Sequence, residues 1–278
     1  QEILEKAELI AIDTETTDTD VMKAKLVGIS LAVQPGHGYY IPVGHLEGQQ
    51  LSLKEVFEAL ASPLTDPDIG KAGHNLKYDY LVLKRAGLTI SPLTFDTMIA
   101  EWLINPASRN LGLKNLAWVR LGYEMTHIEE LIGKGRGQKT MDQVPISEAA
   151  DYAAADAAIV LRLIPFLKED LRKQEAESLF NSMEMPLIPV LAAMEEAGIL
   201  LDRDFFNRFS EELEKRLGEI ESQIQETVGY EFNLNSTQQL SEALFEKLEL
   251  EPPDRTRKTA SGYYSTAAAV LEGMTGQH

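Results

Sequence analysis

The sequence contains no cysteine, so neither disulfide bonds nor thiolate metal sites can form. No run of apolar residues approaches the ~20 that a membrane-spanning helix needs, and the first residues do not resemble a secretory signal. We therefore expect a cytoplasmic protein with no membrane partner. The composition, with 44% hydrophobic and 25% charged residues, is typical of a globular protein.

Positive charge is scarce, since 26 Lys and Arg residues face 44 Asp and Glu residues and give a net charge of −18. This balance argues against a protein that coats nucleic acid, because phosphate binding needs Lys and Arg. It does not exclude a nucleic-acid enzyme, whose catalytic carboxylates also enter the sum. The basic residues cluster in two Gly/Ser/Thr-containing segments, which suit either phosphate contacts or ordinary solvated loops; they are Lys134, Arg136 and Lys139, and Arg255, Arg257 and Lys258.

Two regions differ in their predicted secondary structure. The first 45 residues predict three strands, and a helix at about 52–62, a short strand near 71–75 and helical spacing from 76 follow. Residues 95–171 have a helical pattern almost throughout, and Ser147 is a candidate N-cap for the last of these helices. This order predicts an α/β fold with a mixed sheet and packed helices over residues 1–180.

The region 181–278 predicts an elongated α-helical segment. A helix that starts near Arg203 has an apolar stripe from Phe205 to Val228 at spacings of three and four. Ser236 and Gln239 have capping-box spacing at the start of a further helix. We place the domain boundary near residue 180.

An apolar strand, LIAI, leads directly into Asp13 and Glu15. Side chains alternate along a strand, so these two carboxylates point to the same face. Like charges at this distance repel unless something positive lies between them. The alternative is a solvated strand end with both acids in water.

Two further acids lie on predicted helix faces. Asn75 and Asp79 are four residues apart, as are Tyr152 and Asp156, so each pair shares a face. Each acid alone is typical of a solvated helix. Four acids at strand ends or apolar helix faces are costly unless they are paired or bind metal.

In this order, DTET, NLKYD and YAAAD resemble the three motifs of DEDD-type 3′–5′ exonucleases, and most closely the proofreading domain of family A DNA polymerases. The resemblance covers essentially the whole chain and continues through FNLNSTQQL, which is similar to the start of the polymerase thumb. It implies a ribonuclease H-like fold followed by a partial thumb. We expect the chain to be part of a longer polymerase whose palm and fingers it lacks.

The resemblance also implies the roles of individual residues. Two divalent ions, Mg²⁺ or Mn²⁺ with Zn²⁺ as an alternative at one position, would be held by Asp13, Glu15, Asp79 and Asp156. Tyr152 would orient the attacking water; the alternative is a core tyrosine bonded to the backbone. Position 151 is Asp, which excludes the related subclass that has a catalytic histidine there.

The implied DNA contacts fall in both regions. Residues at the nuclease site would bind a single-stranded or frayed 3′ end; they are Thr14, Thr16, His74, Asn75, Tyr78 and Met141. For His74 we favour a helix cap over a contact with the 3′ end. Thr19 and Met141 lie where relatives wedge the terminal base with large apolar side chains, so wedging is expected to be weaker here. Duplex DNA would contact the thumb through Asn235, Ser236, Thr237, Arg255, Arg257 and Lys258.

Three functions fit these features. The first is a metal-dependent 3′–5′ DNA exonuclease that proofreads as part of a monomeric polymerase. The second is an RNA-trimming exonuclease of the same superfamily, which would share the acids but not the thumb-like segment. The third is a catalytically silent scaffold that positions DNA and has lost metal binding.

Overall fold

The computed structural model describes residues 1–252 and 258–277 of the chain. It contains two compact units, Gln1–Gly198 and Ile199–His278. The helix Met185–Ala197 belongs to the first unit, because its Ile188 is buried in the same core as the sheet. The units thus divide further along the chain than the boundary near residue 180, which stays a prediction for the functional domains.

The first unit is built on one five-stranded mixed sheet with the order β3-β2-β1-β4-β5. The strands are β1 Leu9–Thr16, β2 Leu26–Gln34, β3 His37–Pro42, β4 Gly70–Gly73 and β5 Leu93–Asp96. The first three strands pair antiparallel, whereas β4 pairs parallel with both β1 and β5. The predicted mixed sheet is confirmed. The sequence missed β5, because its four residues lie where the pattern becomes helical.

Helices cover both faces of this sheet. Within the first unit they are α1 Leu53–Thr65, α2 Leu76–Ala86, α3 Thr97–Ile104, α4 Leu113–Leu121, α5 Ile128–Ile132, α6 Ile146–Lys173, α7 Glu177–Leu179 and α8 Met185–Ala197, with π-helical geometry at Phe180–Glu184 between the last two. The pattern over 95–171 is less helical than predicted, because loops and short turns connect α3 to α6. The predicted cap at Ser147 is wrong, since α6 begins at Ile146 directly after an extended Pro145.

The alternation along β1 assigns its side chains to two different cores. Ile10 and Ile12 pack with α1 and α2 on one face, whereas Ala11 packs with α3, α4 and α6 on the other. By the same alternation, Asp13 and Glu15 share the face of Ala11, and Thr14 shares the face of Ile12. The two acids therefore point towards α6.

The second unit contains α9 Arg203–Val228, α10 Thr237–Ser241 with a π-helical continuation Glu242–Lys247, and α11 Ala268–Glu272. Its described core contains Val228, Phe232 and Ala243. Most of the predicted stripe on α9, from Phe205 to Ile220, is exposed, and only its end at Val228 is buried. In both described ranges, no helix is long and apolar enough to cross a membrane.

Candidate functional site

Three carboxylates meet where β1 faces α6. Asp13 and Glu15 come from the strand and Asp156 from the helix, and one ligand atom of each lies within 4.8 Å of those of the others. We call these residues the three-acid group. Glu15 and Asp156 are buried, and Asp13 is half-buried. The three acids line an open pocket of about 560 Å³.

The close approach of α6 to the sheet depends on small residues. A Cβ atom added to Gly38 in β3 would lie 2.0 Å from the carbonyl oxygen of Ala154. Ala11 and Ala32 are fully buried on the same face. Because Ala154 is two residues before Asp156, this contact sets the distance between the helix and the acids of β1.

Asp79 approaches from the other face of the sheet. Its Oδ1 accepts hydrogen bonds from the Thr14 backbone N–H at 2.8 Å and from the Thr14 hydroxyl at 2.6 Å. Asp79 is therefore held against β1 but does not belong to the three-acid group. Its charge still acts on Asp13, because it contributes to the raised pKa of that residue. Its role as a fourth metal ligand stays a prediction.

The acids have raised pKa values, chiefly because they are buried. Burial, followed by repulsion from Asp156, raises the pKa of Glu15 to about 8. Burial raises the pKa of Asp79 to about 7, although the hydrogen bonds from Thr14 oppose the shift. The pKa of Asp13 is raised by burial and then by Asp79 and Glu15. Such a group takes up either protons or a cation.

The donor set fits a hard divalent cation, because all three ligands are carboxylates and such ions prefer oxygen. Ser30 lies directly opposite Asp13 in the register between β1 and β2. Its fully buried hydroxyl has no hydrogen-bond partner among the described residues. Buried hydroxyls are rarely left without a partner, so this one indicates that a bound water or ion belongs to the site.

Lys114 in α4 is a site residue that the sequence did not predict. Its Nζ donates to both carboxylate oxygens of Asp156, at 2.5 and 2.8 Å, and lies 4.0 Å from the ring centroid of Tyr152. In the sequence it resembles any lysine in the first turn of a helix. No local signal could have found it.

Tyr152 lies one helical turn before Asp156 and is buried in the pocket wall. Burial and then the charge of Asp156 raise its pKa far above the usual value for a phenol. Tyr152 is therefore a hydrogen-bond donor near neutral pH and not a base.

The predicted substrate residues lie mostly around the same pocket. Its lining includes Thr14, Thr16, Asn75, Tyr78 and Met141, together with Thr19 and Lys139. At the rim, the Tyr78 hydroxyl lies 2.6 Å from the Thr16 hydroxyl and donates to the Asp18 carbonyl at 2.6 Å. These bonds fix the end of β1 against α2. Lys134 and Arg136 are exposed and do not line the pocket.

His74 does not cap a helix, so the interpretation that we favoured is wrong. Asn75 occupies the N-cap position of α2 and makes no capping bond with its side chain. His74 Nδ1 lies 2.9 Å from the Thr97 hydroxyl, which itself donates to the Gly73 carbonyl. Burial lowers the pKa of His74 to about 4, so the ring is neutral near pH 7. It lies outside the pocket lining.

The predicted thumb residues belong to the second unit. Ser236 caps α10 by accepting from the Gln239 backbone N–H at 3.4 Å, and the Asn235 backbone N–H donates to the Asn233 side chain. Thr237 is exposed, and Lys258 lies 5.0 Å from the ring centroid of Tyr264. Arg255 and Arg257 lie outside the described residues. DNA binding by this set stays a prediction.

Comparisons with known proteins match the two regions of the chain to two different family models. Residues 1–172 match a family model described as 3′–5′ exonuclease, and residues 203–278 match the model for DNA polymerase family A. DNA polymerase I of Chloroflexus aurantiacus is 40% identical over 98% of this chain, which covers 29% of that protein. DNA polymerase I of Pseudomonas aeruginosa is 38% identical over 99% of this chain and 30% of its own length. The chain thus spans about three tenths of the curated relatives that it matches.

Two kinds of solved structure are similar. The polymerase domain of Pol1 from M. smegmatis, in complex with DNA primer-template and dNTP, has a TM-score of 0.76 and 26% identity, covering 98% of this chain and 42% of that one. Brucella melitensis NrnC with bound Mg²⁺ has a TM-score of 0.55 at 20% identity, covering 70% of this chain and 88% of that one. The second similarity shows a shared fold.

Proposed function

Because residues 1–172 belong to the 3′–5′ exonuclease family of family A DNA polymerases, we propose that this chain removes nucleotides from the 3′ ends of DNA. The observation that carries the proposal is the convergence of Asp13, Glu15 and Asp156 within 4.8 Å of one another. The acids line an open pocket with room for a nucleotide. The membership of the second region in the polymerase family favours DNA over RNA as the substrate.

The proposed reaction is hydrolysis of the last phosphodiester bond. Water loses a proton and adds to phosphorus, the bond to the 3′ oxygen of the preceding nucleotide breaks, and that oxygen takes up a proton as a nucleoside 5′-monophosphate leaves. Divalent ions, when bound, supply a hydroxide near neutral pH and stabilise the leaving oxygen. Asp13, Glu15 and Asp156 would hold them, and Asp79 would join through the oxygen that does not face Thr14.

The other side chains bind and orient. Tyr152 keeps its proton, because burial raises its pKa, and so donates a hydrogen bond to the attacking water or to a phosphate oxygen. The linked hydroxyls of Thr16 and Tyr78 form a rigid rim against which the terminal nucleotide would rest. Met141 supplies an apolar wall of the pocket for the base.

We propose Mg²⁺ or Mn²⁺ as the ions and two as their number, with Zn²⁺ as an alternative at one position. The all-carboxylate donor set supports hard cations, and hydrolysis by two ions serves both the attacking and the leaving oxygen.

For the whole protein we propose proofreading within a cytoplasmic, monomeric DNA polymerase. The second unit would then contact duplex DNA through Asn235, Ser236, Thr237, Arg255, Arg257 and Lys258. Replacing the three basic residues with alanine should weaken duplex binding and flatten its salt dependence by roughly 0.9 per residue removed. Cleavage of short single strands should barely change. The chain itself should not extend a primer.

The test uses single-stranded DNA labelled at either end, with Mg²⁺ or with chelator. Mononucleotides should leave from the 3′ end, and chelator should abolish their release. Asp13→Ala and Asp156→Ala should each cost several orders of magnitude in rate. Release from the 5′ end, or full activity in chelator, would contradict the proposal. An RNA strand of the same sequence tests the RNA-trimming alternative, which predicts faster cleavage of RNA, and the silent scaffold predicts no cleavage of either.

A further inference from the structure

We propose that Lys114 is a built-in competitor of the metal, whose ammonium occupies the ligand oxygens of Asp156 until a divalent ion displaces it. The inference rests on the proposed function, because it takes the three-acid group to be a metal centre. It assigns a role to a residue that the proposed hydrolysis does not use.

The contact of Lys114 with Asp156 uses the atoms that a metal would need. Both carboxylate oxygens accept from the single Nζ, at 2.5 and 2.8 Å. Side-chain exposure is 19% for Lys114 and 10% for Asp156, so little water competes for the pair. A charge-assisted bond of this kind is stronger than a surface ion pair. A divalent ion bound to Asp156 would share these two oxygens with the ammonium, and repulsion between the two cations favours loss of the lysine contact.

The charge of Lys114 also reaches the rest of the three-acid group. It lowers the pKa of Asp13, Glu15 and Asp156, opposing the effect of burial at each of them. The ammonium contacts Asp156 and the ring of Tyr152, and its charge also acts on Asp13, Glu15 and the neutral ring of His74. One positive charge thus partly compensates three carboxylates, and a divalent ion would compensate them better.

The side chain of Lys114 can move its ammonium away from Asp156. Its backbone is fixed in the first turn of α4, whereas the ammonium is carried on a flexible chain of four carbons. Its contacts at the tip are ionic bonds to Asp156, which a divalent ion can replace, and a cation–π contact with Tyr152, which is lost when the ammonium moves away. Rotation of the stem can therefore free Asp156 without moving α4 or α6.

Removing the charge should tighten metal binding. Calorimetric titration with Mn²⁺ at about pH 8.5, where protons compete less with the metal, would compare the wild type with Lys114→Met. Methionine keeps the unbranched apolar stem and its contact with Tyr152. We expect the variant to bind Mn²⁺ about tenfold more tightly or better, because binding no longer breaks a charge-assisted bond.

Two further variants control for charge. Lys114→Arg keeps a cation beside Asp156 and should bind Mn²⁺ with nearly wild-type affinity. Lys54→Met removes the same charge from an exposed position on α1 and should leave the affinity unchanged. If Lys114→Met does not fold, as judged by its thermal unfolding, Lys114→Gln replaces it.

The outcomes separate the two proposals. If the wild type binds no Mn²⁺ and Asp156→Asn makes no difference, the metal centre and with it the proposed function fall. If the wild type binds Mn²⁺ through Asp156 but Lys114→Met binds it equally or more weakly, the metal centre stands and the competition is overturned. A gain in affinity shared by Lys54→Met would also overturn it, because the effect would then follow net charge alone.

Discussion

Asp96 lies at the end of β5, where its buried carboxylate holds the first turns of two helices. Its Oδ1 accepts from the backbone N–H groups of Met98 and Ile99 in α3, at 2.8 and 3.2 Å, and from Asn75 at 3.2 Å. Its Oδ2 accepts from the Leu76 N–H at 2.7 Å. Leu76 begins α2, the helix that carries Asp79. One side chain thus caps α3 and replaces the missing cap of α2.

Asp96→Asn should keep the cap of α3 and disrupt the cap of α2. Asparagine is a good N-cap, so its amide oxygen can keep the place of Oδ1 and serve α3. Its NH₂ group then faces the Leu76 N–H, and two donors meet in a site that is 1% exposed. An unsatisfied buried donor costs about 1–3 kcal/mol, so we expect that loss in the free energy of unfolding. Asp96→Ala removes all four bonds and should cost about 3–5 kcal/mol.

The assay combines urea unfolding with the rate of 3′-end hydrolysis at a temperature where every variant is folded. Asp96→Asn should lower both, because the displaced start of α2 carries Asp79 with it. Ser52→Ala is the matched control, since Ser52 caps α1, which carries none of the predicted site residues. It should cost about 1 kcal/mol without slowing hydrolysis. Asp96→Asn within 0.5 kcal/mol of the wild type, or equal slowing by Ser52→Ala, would refute the reasoning.

Three other expectations concern the site itself. In chelator, folded Glu15 with its pKa of about 8 holds a proton that the unfolded chain releases near 4.5, so Glu15 should contribute a fall of about 1.4 kcal/mol per pH unit to the free energy of unfolding between these values. Asp13 and Asp79, whose pKa values are also raised, add to this fall. Glu15→Gln should therefore make the pH dependence of the urea midpoints less steep without abolishing it. Gly38→Ala should cost about 1–3 kcal/mol and reduce hydrolysis, since its Cβ would clash with the Ala154 carbonyl, whereas Gly218→Ala, in the interior of α9 with open space around it, should lower neither the stability nor the rate. Tyr152→Phe should slow hydrolysis by roughly 10²–10⁴-fold while calorimetry shows unchanged Mn²⁺ affinity.

Short-range periodicity accounts for what could be predicted. Alternation along β1 correctly indicated that Asp13 and Glu15 share a face, and spacing along α6 placed Tyr152 beside Asp156. Both relations are fixed within one element, so no knowledge of the fold is needed. The mixed sheet followed from the order of strands and helices, and the two family models confirm the resemblance that the motifs suggested.

Relations between elements could not be predicted in the same way. The sequence treated the four acids alike, but Thr14 points to the opposite face from Asp13 and binds Asp79 there. Asp79 therefore approaches the site from the opposite face of the sheet to the other three acids. Likewise, Asp96 caps the start of α2, a role that we expected for His74. Asp96 reaches α2 only because β5 lies beside β4 in the sheet.

Lys114 shows most clearly what the sequence cannot predict. A positive charge near the carboxylates could be expected, but the residue that supplies it could not. Carboxylates gathered at the end of a buried strand take up protons or a compensating cation, so a metal or a basic side chain was to be expected there. The chain offers 26 lysines and arginines, and nothing local distinguishes the one that precedes Asp156 by 42 residues. Only the packing of α4 against α6 selects it. In our proposal the site for divalent ions thus carries its own cation. The strength of the ion pair between Lys114 and Asp156 then sets the affinity that a divalent ion needs to displace the ammonium.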